Sequence, residues 1–167
     1  MTYITSESET RAYAIGELSS IDTTSVIAGY YKKSTTPIVK YFIGGLNTDV
    51  DLYAQFNDPP GTTTGYNKVG FVKVGTGTYR LLNNNSNIIG GLEVREGTVL
   101  ADDKALWGNV RGSVGNNVVV WPQGTLGGKG RIQGNVDLKG KLTPGSKGTG
   151  VLLITDSLSR VDGTFGT

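Results

Sequence analysis

Polar and apolar residues alternate strictly over the stretch from Arg131 to Leu142. Odd-numbered positions in this stretch are polar, and even-numbered positions are apolar or glycine. A period of two is typical of an extended backbone with one face buried. Glycines that recur inside such a stretch weaken an ordinary strand and indicate regular bends or bulges. The pattern therefore predicts short strands joined by tight corners.

The N-terminal segment, 1–60, is also predicted to be rich in strands, but with a less regular pattern. Residues 25–31 and 37–43 are β-branched and aromatic, and Ser/Thr and Gly-Gly clusters bound them. Residues 11–18 are compatible with one or two turns of helix, although Gly16 counts against it. Residues 56–61 are predicted to form a turn and a loop, because two prolines there cannot donate to a β-ladder.

The dipeptide Gly-Thr recurs after residue 60, and among its occurrences are those that begin at Gly77, Gly97, Gly124, Gly148 and Gly163. The separations between these dipeptides are unequal, so this is a degenerate repeat. A spacing of roughly 20 residues suits one coil of a strand solenoid, in which each coil buries its inward face against its neighbours. An antiparallel sandwich or barrel is the alternative, and it is usually marked by Asn-Gly or Asp-Gly hairpin turns. The chain has one such dipeptide, at residues 162–163, so we favour the solenoid.

Composition divides the chain near residue 60. Of 26 glycines, 22 follow residue 60. We therefore predict an irregular strand-rich segment at 1–60, forming N-terminal coils or a small subdomain, and glycine-rich repeats at 61–167. The first segment has a net charge of −3 and the second a net charge of +5. The basic residues are dispersed, which indicates a solvated face and no nucleic-acid partner.

The chain contains neither cysteine nor histidine. Disulfides, thiolate chemistry and the commonest general base and metal ligand are therefore excluded. The acidic residues add little evidence for a catalytic or metal site. Adjacent residues on a strand point to opposite faces, so Asp102 and Asp103 are predicted to mark a solvated corner. Asp49 and Asp51 would share a strand face, but two carboxylates without a third ligand are poor evidence for calcium. We predict no catalytic residue, no metal and no cofactor.

Two longer segments resemble a known family. Residues Gly70–Leu100 (GFVKVGTGTYRLLNNNSNIIGGLEVREGTVL) resemble the glycine-rich repeat of bacterial autotransporter passenger domains. Residues Trp121–Leu158 (WPQGTLGGKGRIQGNVDLKGKLTPGSKGTGVLLITDSL) resemble the membrane-proximal part of such passengers. The order of the motifs carries this resemblance, which covers roughly residues 56–160. Residues 1–55 contain no matching motif.

The resemblance implies an all-β fold, a right-handed parallel β-helix, and export through the outer membrane by a C-terminal barrel of the same protein. It also implies that the C-terminal part of the passenger acts as an autochaperone, which folds first and templates the coils behind it. The expected location is the bacterial surface. The expected partners are upstream passenger sequence and the barrel, so we expect the chain to be a piece of a longer protein.

A folding template is physically reasonable, because a stable end coil lowers the cost of nucleating the next one. On this hypothesis the working residues are those that form the core, and the protein is not an enzyme. Trp121 has two interpretations, since a buried ring would cap the solenoid and an exposed one would anchor a partner. The predicted folding core consists of Trp121, Leu126, Ile132, Val136, Leu138, Leu142, Leu152 and Ile154.

Two alternatives remain open at this point. An adhesive module that binds a host-surface protein would use the aromatic residues before residue 57, with Tyr30, Tyr31, Tyr41 and Phe42 as candidate contacts. A carbohydrate-active β-helix enzyme would require acids that converge in one groove, with Asp102 or Asp103 essential for turnover.

Overall fold

The computed structural model describes residues 11–28, 38–56, 68–82, 88, 90–102, 106–107, 118–146 and 149–160. All regular secondary structure in these ranges is β-strand. The strands are β1 (Arg11–Ile15), β2 (Val26–Ile27), β3 (Ile38–Ile43), β4 (Val50–Leu52), β5 (Gln55–Phe56), β6 (Lys68–Lys73), β7 (Thr78–Leu81), β8 (Leu92–Ala101), β9 (Leu106–Trp107), β10 (Val118–Gly128), β11 (Arg131–Ile132), β12 (Val136–Leu138), β13 (Lys141–Pro144), β14 (Leu153–Ile154) and β15 (Leu158–Arg160).

The largest sheet contains a run of parallel strands in the order β1-β3-β6-β8-β10-β12-β15. Each strand of this run pairs with the one that follows it in the order. Parallel neighbours cannot be joined by a tight hairpin, so the chain leaves the run after each strand and returns to it. One register row through the run consists of Tyr13, Tyr41, Phe71, Leu92, Val118, Val136 and Leu158.

Two further sets contain strands that alternate along the chain with those of the first set. The second set is β4, β7, the later part of β8, the later part of β10, and β13, all paired in parallel. The third set is the sheet β14-β11-β9, and β2 pairs with β5 separately. Strands β8 and β10 are 10 and 11 residues long and therefore take part in both of the first two sets.

The core lies between these sets of strands, where their inward side chains meet. Phe71 of β6 stacks on Phe56 of β5 with ring centroids 4.9 Å apart, and it meets Tyr79 of β7 edge-on at 6.2 Å. All three rings are fully buried. Such aromatic pairs add about 0.5–1.5 kcal/mol to the stabilisation from their burial. Residues of the first set, of the second set and of the β2-β5 pair therefore share one hydrophobic core.

Three of the Gly-Thr dipeptides, those that begin at Gly77, Gly97 and Gly124, occupy one register position. Thr78, Thr98 and Thr125 pair with one another across β7, β8 and β10, which also aligns the glycines that precede them. A Cβ on Gly97 would collide with the carbonyl oxygen of Gly75, and Gly97 has a φ of 69°. A Cβ on Gly124 would collide with a carbonyl oxygen of β8. The repeat marks a place where backbones approach too closely for any side chain.

The prediction of an all-β protein with parallel strands is confirmed for the described residues. Every pair of strands among them is parallel, and the isolated bridge between Gly128 and Gly145 is antiparallel. This arrangement differs from the antiparallel sandwich or barrel that was the alternative.

Predictions for individual segments of the chain can be compared with the structure one at a time. The helical turns considered for residues 11–18 are wrong, because residues 11–15 form β1 and pair with β3. The strand predicted at 37–43 is confirmed as β3. Strand β3 pairs with β6 along its whole length, so the sheet is continuous across the change in composition near residue 60. The loop predicted after Phe56 lies outside the described residues.

Candidate functional site

The residues of the predicted folding core lie at three levels of burial. Three are fully buried, and four are partly buried and pack against the core. Trp121 differs from the prediction, because 37% of it is exposed. The alternation along β10 explains the difference: Val118 and Val120 face inward, so the next residue faces outward. The fully buried residues are Leu126, Ile132 and Val136, and the partly buried ones are Leu138, Leu142, Leu152 and Ile154.

The three fully buried residues connect all three sets of strands. Leu126 pairs with Val99 in the second set, and Val136 pairs with Val118 in the first. Ile132 pairs with Ile154 in the third set. The chain from Leu126 to Val136 therefore inserts one fully buried side chain into each set. This short segment forms a complete cross-section of the core.

A chain of polar contacts crosses successive strands on one side of the second set. Arg80 of β7 donates to Asp51 of β4 at 2.9 Å, and its Nε lies 3.2 Å from Oδ2 of Asp102. The other carboxylate oxygen of Asp102 accepts from the backbone N–H of Lys129 at 3.2 Å. We call this set, Asp51, Arg80, Asp102 and the Lys129 amide, the ionic ladder. It links four successive levels of the second set through three side chains and one backbone amide.

The ionic ladder corrects the prediction for Asp102. This residue is 3% exposed, so it does not mark a solvated corner. Its carboxylate is engaged by Arg80 and by a backbone amide, and it is not available as an acid in an open groove. Asp103 lies outside the described residues. Asp49 and Asp51 lie on one face, as predicted, and Asp49 accepts from the backbone N–H of Thr78 at 2.7 Å.

A fully buried lysine interrupts an aliphatic row of the first set. Lys73 pairs with Ile43 on one side and with Val94 on the other, and it is 0% exposed. Its Nζ donates to the backbone carbonyls of Val74 at 2.6 Å, Gly75 at 2.5 Å and Glu96 at 3.4 Å. We call these three oxygens the carbonyl cradle. They accept hydrogen bonds from the ammonium group, so the buried charge has polar partners in place of water.

Burial lowers the pKa of Lys73 to about 8, although the carboxylates of Glu96 and Asp49 raise it. The sequence contained a signal for this residue, because the period of two places Lys73 on the same face as buried Phe71. Burial also raises the pKa of Tyr79 and of Tyr41 above the ordinary value.

The free energy of unfolding is expected to rise between pH 8 and pH 9.5. In this range the unfolded chain keeps the lysine proton and folded Lys73 releases it, so raising the pH favours the folded state. No histidine or cysteine contributes to the pH dependence in this range, because the sequence contains neither residue. Urea unfolding at a series of pH values measures the effect. In K73M the rise should vanish, and an equal rise in that variant would contradict the assignment.

A bulge in β10 shapes the outer face of the first set. Val120 pairs with Val94 and Gln123 pairs with Glu96, so two residues of β10 oppose Arg95 alone. One of these two residues is a proline, which donates no hydrogen bond to the ladder. The bulge presents Trp121 and Pro122 at the surface. Together with Arg95 and Gln123 they line an open groove of about 480 Å³, which we call the bulge groove.

Cationic and aromatic side chains contact two of the residues that line the bulge groove, Arg95 and Trp121. The guanidinium of Arg95 lies 5.2 Å from the centre of the Phe42 ring, and Lys139 Nζ lies 4.4 Å from the centre of the Trp121 ring. Glu93 accepts from Lys40 at 2.5 Å and from Arg95 at 3.0 Å. Burial raises the pKa of Glu93, but these hydrogen bonds outweigh burial and hold that pKa below its ordinary value.

The predicted partner contacts have different environments. Tyr41 is partly buried, stacks on Tyr13 with centroids 5.7 Å apart, and donates its hydroxyl to the carbonyl of Ala28 at 2.9 Å. It therefore packs within the fold. Phe42 lies on the opposite, outer face, beside Arg95. Tyr30 and Tyr31 lie outside the described residues.

Among the described residues, no group of three or more acidic side chains is placed to hold a metal ion. The same residues contain no helix with the length and apolar character needed to cross a lipid bilayer. Comparison with protein-family models and with curated proteins finds no match for the chain.

Proposed function

We propose that this chain is a coil segment of a right-handed parallel β-helix that serves as a stalk and folding template for a larger secreted protein. The observation that carries the proposal is the parallel register of the first set, in which each strand pairs with the strand before it in the run. Three consecutive sets of strands around one core agree with a solenoid whose coils each contribute a few short strands.

The segment from Leu126 to Val136 supports the template role. It supplies one fully buried residue to each set of strands, so it covers the cross-section of the core within a short length of chain. A contiguous segment of this kind orders with little loss of loop-closure entropy, and it then offers a complete surface to the next coil. We infer that β10, β11 and β12 form the seed.

The resemblance to autotransporter passengers extends the proposal to location and partners. In that setting the chain would fold outside the outer membrane, with upstream passenger sequence as its client and a barrel of the same protein as its exit route. Pairing between strands distant in sequence is slow without a template. The entropy cost of closing the loop between them comes before the stabilising contacts form. A seed that folds first would therefore favour outward transport. The proposal includes no catalytic step and no cofactor.

Pulsed hydrogen exchange during refolding from urea tests the order of folding. Backbone amides of β10, β11 and β12 are expected to become protected first, followed by β8, β6 and β3 in that order. Mass spectrometry of peptic fragments after each pulse measures this order. Earlier protection of residues 11–56 would contradict a seed in the C-terminal part.

The runner-up function is an adhesive module, and one observation favours it. An exposed tryptophan beside cationic side chains is typical of a contact surface. That surface is the bulge groove of β8 and β10. Of the four aromatic residues that the sequence suggested as partner contacts, Phe42 lies beside Arg95 of this groove. The adhesive and template functions are compatible in one chain, since the groove lies outside the core.

A further inference from the structure

We propose that the bulge groove binds an acidic saccharide, with the indole of Trp121 as the platform for a sugar ring and with Lys139 and Arg95 as the partners of its carboxylates. This inference does not depend on the template function. It rests on the shape of the groove, on the groups that line it and on their charge.

The shape of the groove follows from the backbone and needs no rearrangement. The extra residue in β10 opposite Arg95 lifts Trp121 and Pro122 out of the ladder. Parallel pairs hold both sides of the bulge, at Val120 on one side and at Gln123 on the other. Sites built on strands are held more firmly than sites on loops, and a preformed site loses less entropy when a ligand binds. The volume of about 480 Å³ suits one or two sugar units.

The lining combines the two kinds of group that an acidic sugar requires. Trp121 is 37% exposed and offers an apolar ring surface to the C–H groups of a pyranose. Gln123 is an exposed residue of the lining whose amide can both donate to and accept from hydroxyl groups. Arg95 adds a planar set of N–H donors, which suits a carboxylate. A peptide carboxylate would use the cations but would leave the ring platform without its partner.

One cation beside the groove, Lys139, is available to an anionic ligand. Arg95 lines the groove, and Lys139 lies against the ring of Trp121. Among the carboxylates nearby, Glu93 pairs with Lys40 and Arg95, Asp137 accepts from Ser159, and Glu96 pairs in register with Gln123. Lys139 lies against the indole with its Nζ 4.4 Å from the ring centre, so an anion bound there would also touch the platform. Among the described residues no carboxylate forms an ion pair with Lys139, so its ammonium group favours an anionic ligand over a neutral one.

Titration of the chain with a tetramer of galacturonic acid tests the proposal, with maltotetraose as the neutral counterpart and tetraglutamate as the peptide counterpart. Isothermal calorimetry is expected to give saturable binding of the uronate tetramer. Binding of maltotetraose and of tetraglutamate should be at least tenfold weaker. Tetraglutamate that binds as tightly as the uronate would overturn the saccharide class, and absence of saturable uronate binding at millimolar concentration would overturn the site.

Three variants locate the binding to the groove. W121A should lose at least tenfold in affinity, and K139Q should lose about fivefold. K141Q is the matched control, because Lys141 is an exposed lysine on the neighbouring strand β13, and its affinity should stay within twofold. Circular dichroism and the unfolding midpoint confirm that each variant is folded. Equal losses in K139Q and K141Q, or unchanged binding by folded W121A, would contradict the assignment.

Discussion

Replacing Arg80 by methionine is expected to lower the free energy of unfolding by about 3 kcal/mol. The loss does not come mainly from the ion pair itself, since its net contribution is small once desolvation is included. It comes from Asp102, which is 3% exposed and would keep a buried carboxylate with the Lys129 amide as its remaining partner in the ionic ladder. Urea unfolding at pH 7 measures the change.

The matched control for Arg80 is D51N. Asp51 contacts the same guanidinium at 2.9 Å, but its side chain is 49% exposed. Exposed ion pairs contribute about 0–1 kcal/mol, so this variant should lose less than about 1 kcal/mol. Adding D102N to the Arg80 variant should recover part of the loss, because it removes the buried charge. A loss in R80M no larger than that in D51N would contradict the role of the ladder.

Replacing Leu126 by alanine is expected to cost about 2–5 kcal/mol of unfolding free energy and to slow refolding. Leu126 is fully buried in β10 and belongs to the proposed seed, so its contacts would already form in the folding transition state. Stopped-flow refolding and unfolding in urea separate the two effects.

Leu52 provides the control, because it is a leucine with the same complete burial in the N-terminal strand β4. The same atoms are removed from an equally buried site, so L52A should cost a similar free energy of unfolding. It should act mainly on the unfolding rate, since β4 would join the core after the seed. Refolding slowed equally by both substitutions would count against a seed in β10 to β12.

Much of the fold could be predicted from the sequence, because the signals that specify it are local. The period of two between Arg131 and Leu142 predicted the strands and the inward side chains of that region, and Ile132 and Val136 are fully buried. The Gly-Thr repeat marked a real register position, although its spacing is irregular. Both signals are visible in the sequence because they have local causes. The pleat of a strand imposes the alternation of side chains, and a close approach of two backbones requires glycine.

The functional groups were harder to predict, because they depend on which strands become neighbours. The sequence alone suggested that Asp102 marks a solvated corner, because its partner Arg80 belongs to another strand. Trp121 faces outward by simple alternation, but the groove beside it exists because one extra residue of β10 opposes Arg95. Lys73 had a local signal in its alternation with Phe71. Its carbonyl cradle, in contrast, is created by the backbone bends around it.

Display of a reporter at the surface of a Gram-negative cell tests the central claim most directly. The chain would be placed between an upstream reporter domain and an outer-membrane barrel, and protease-accessible reporter would be measured for the parent, L126A and L52A. If this chain is a template that folds first, L126A should reduce display severalfold, and L52A should leave it near the parent level although its stability loss is similar. Equal display of the two variants would contradict the template function.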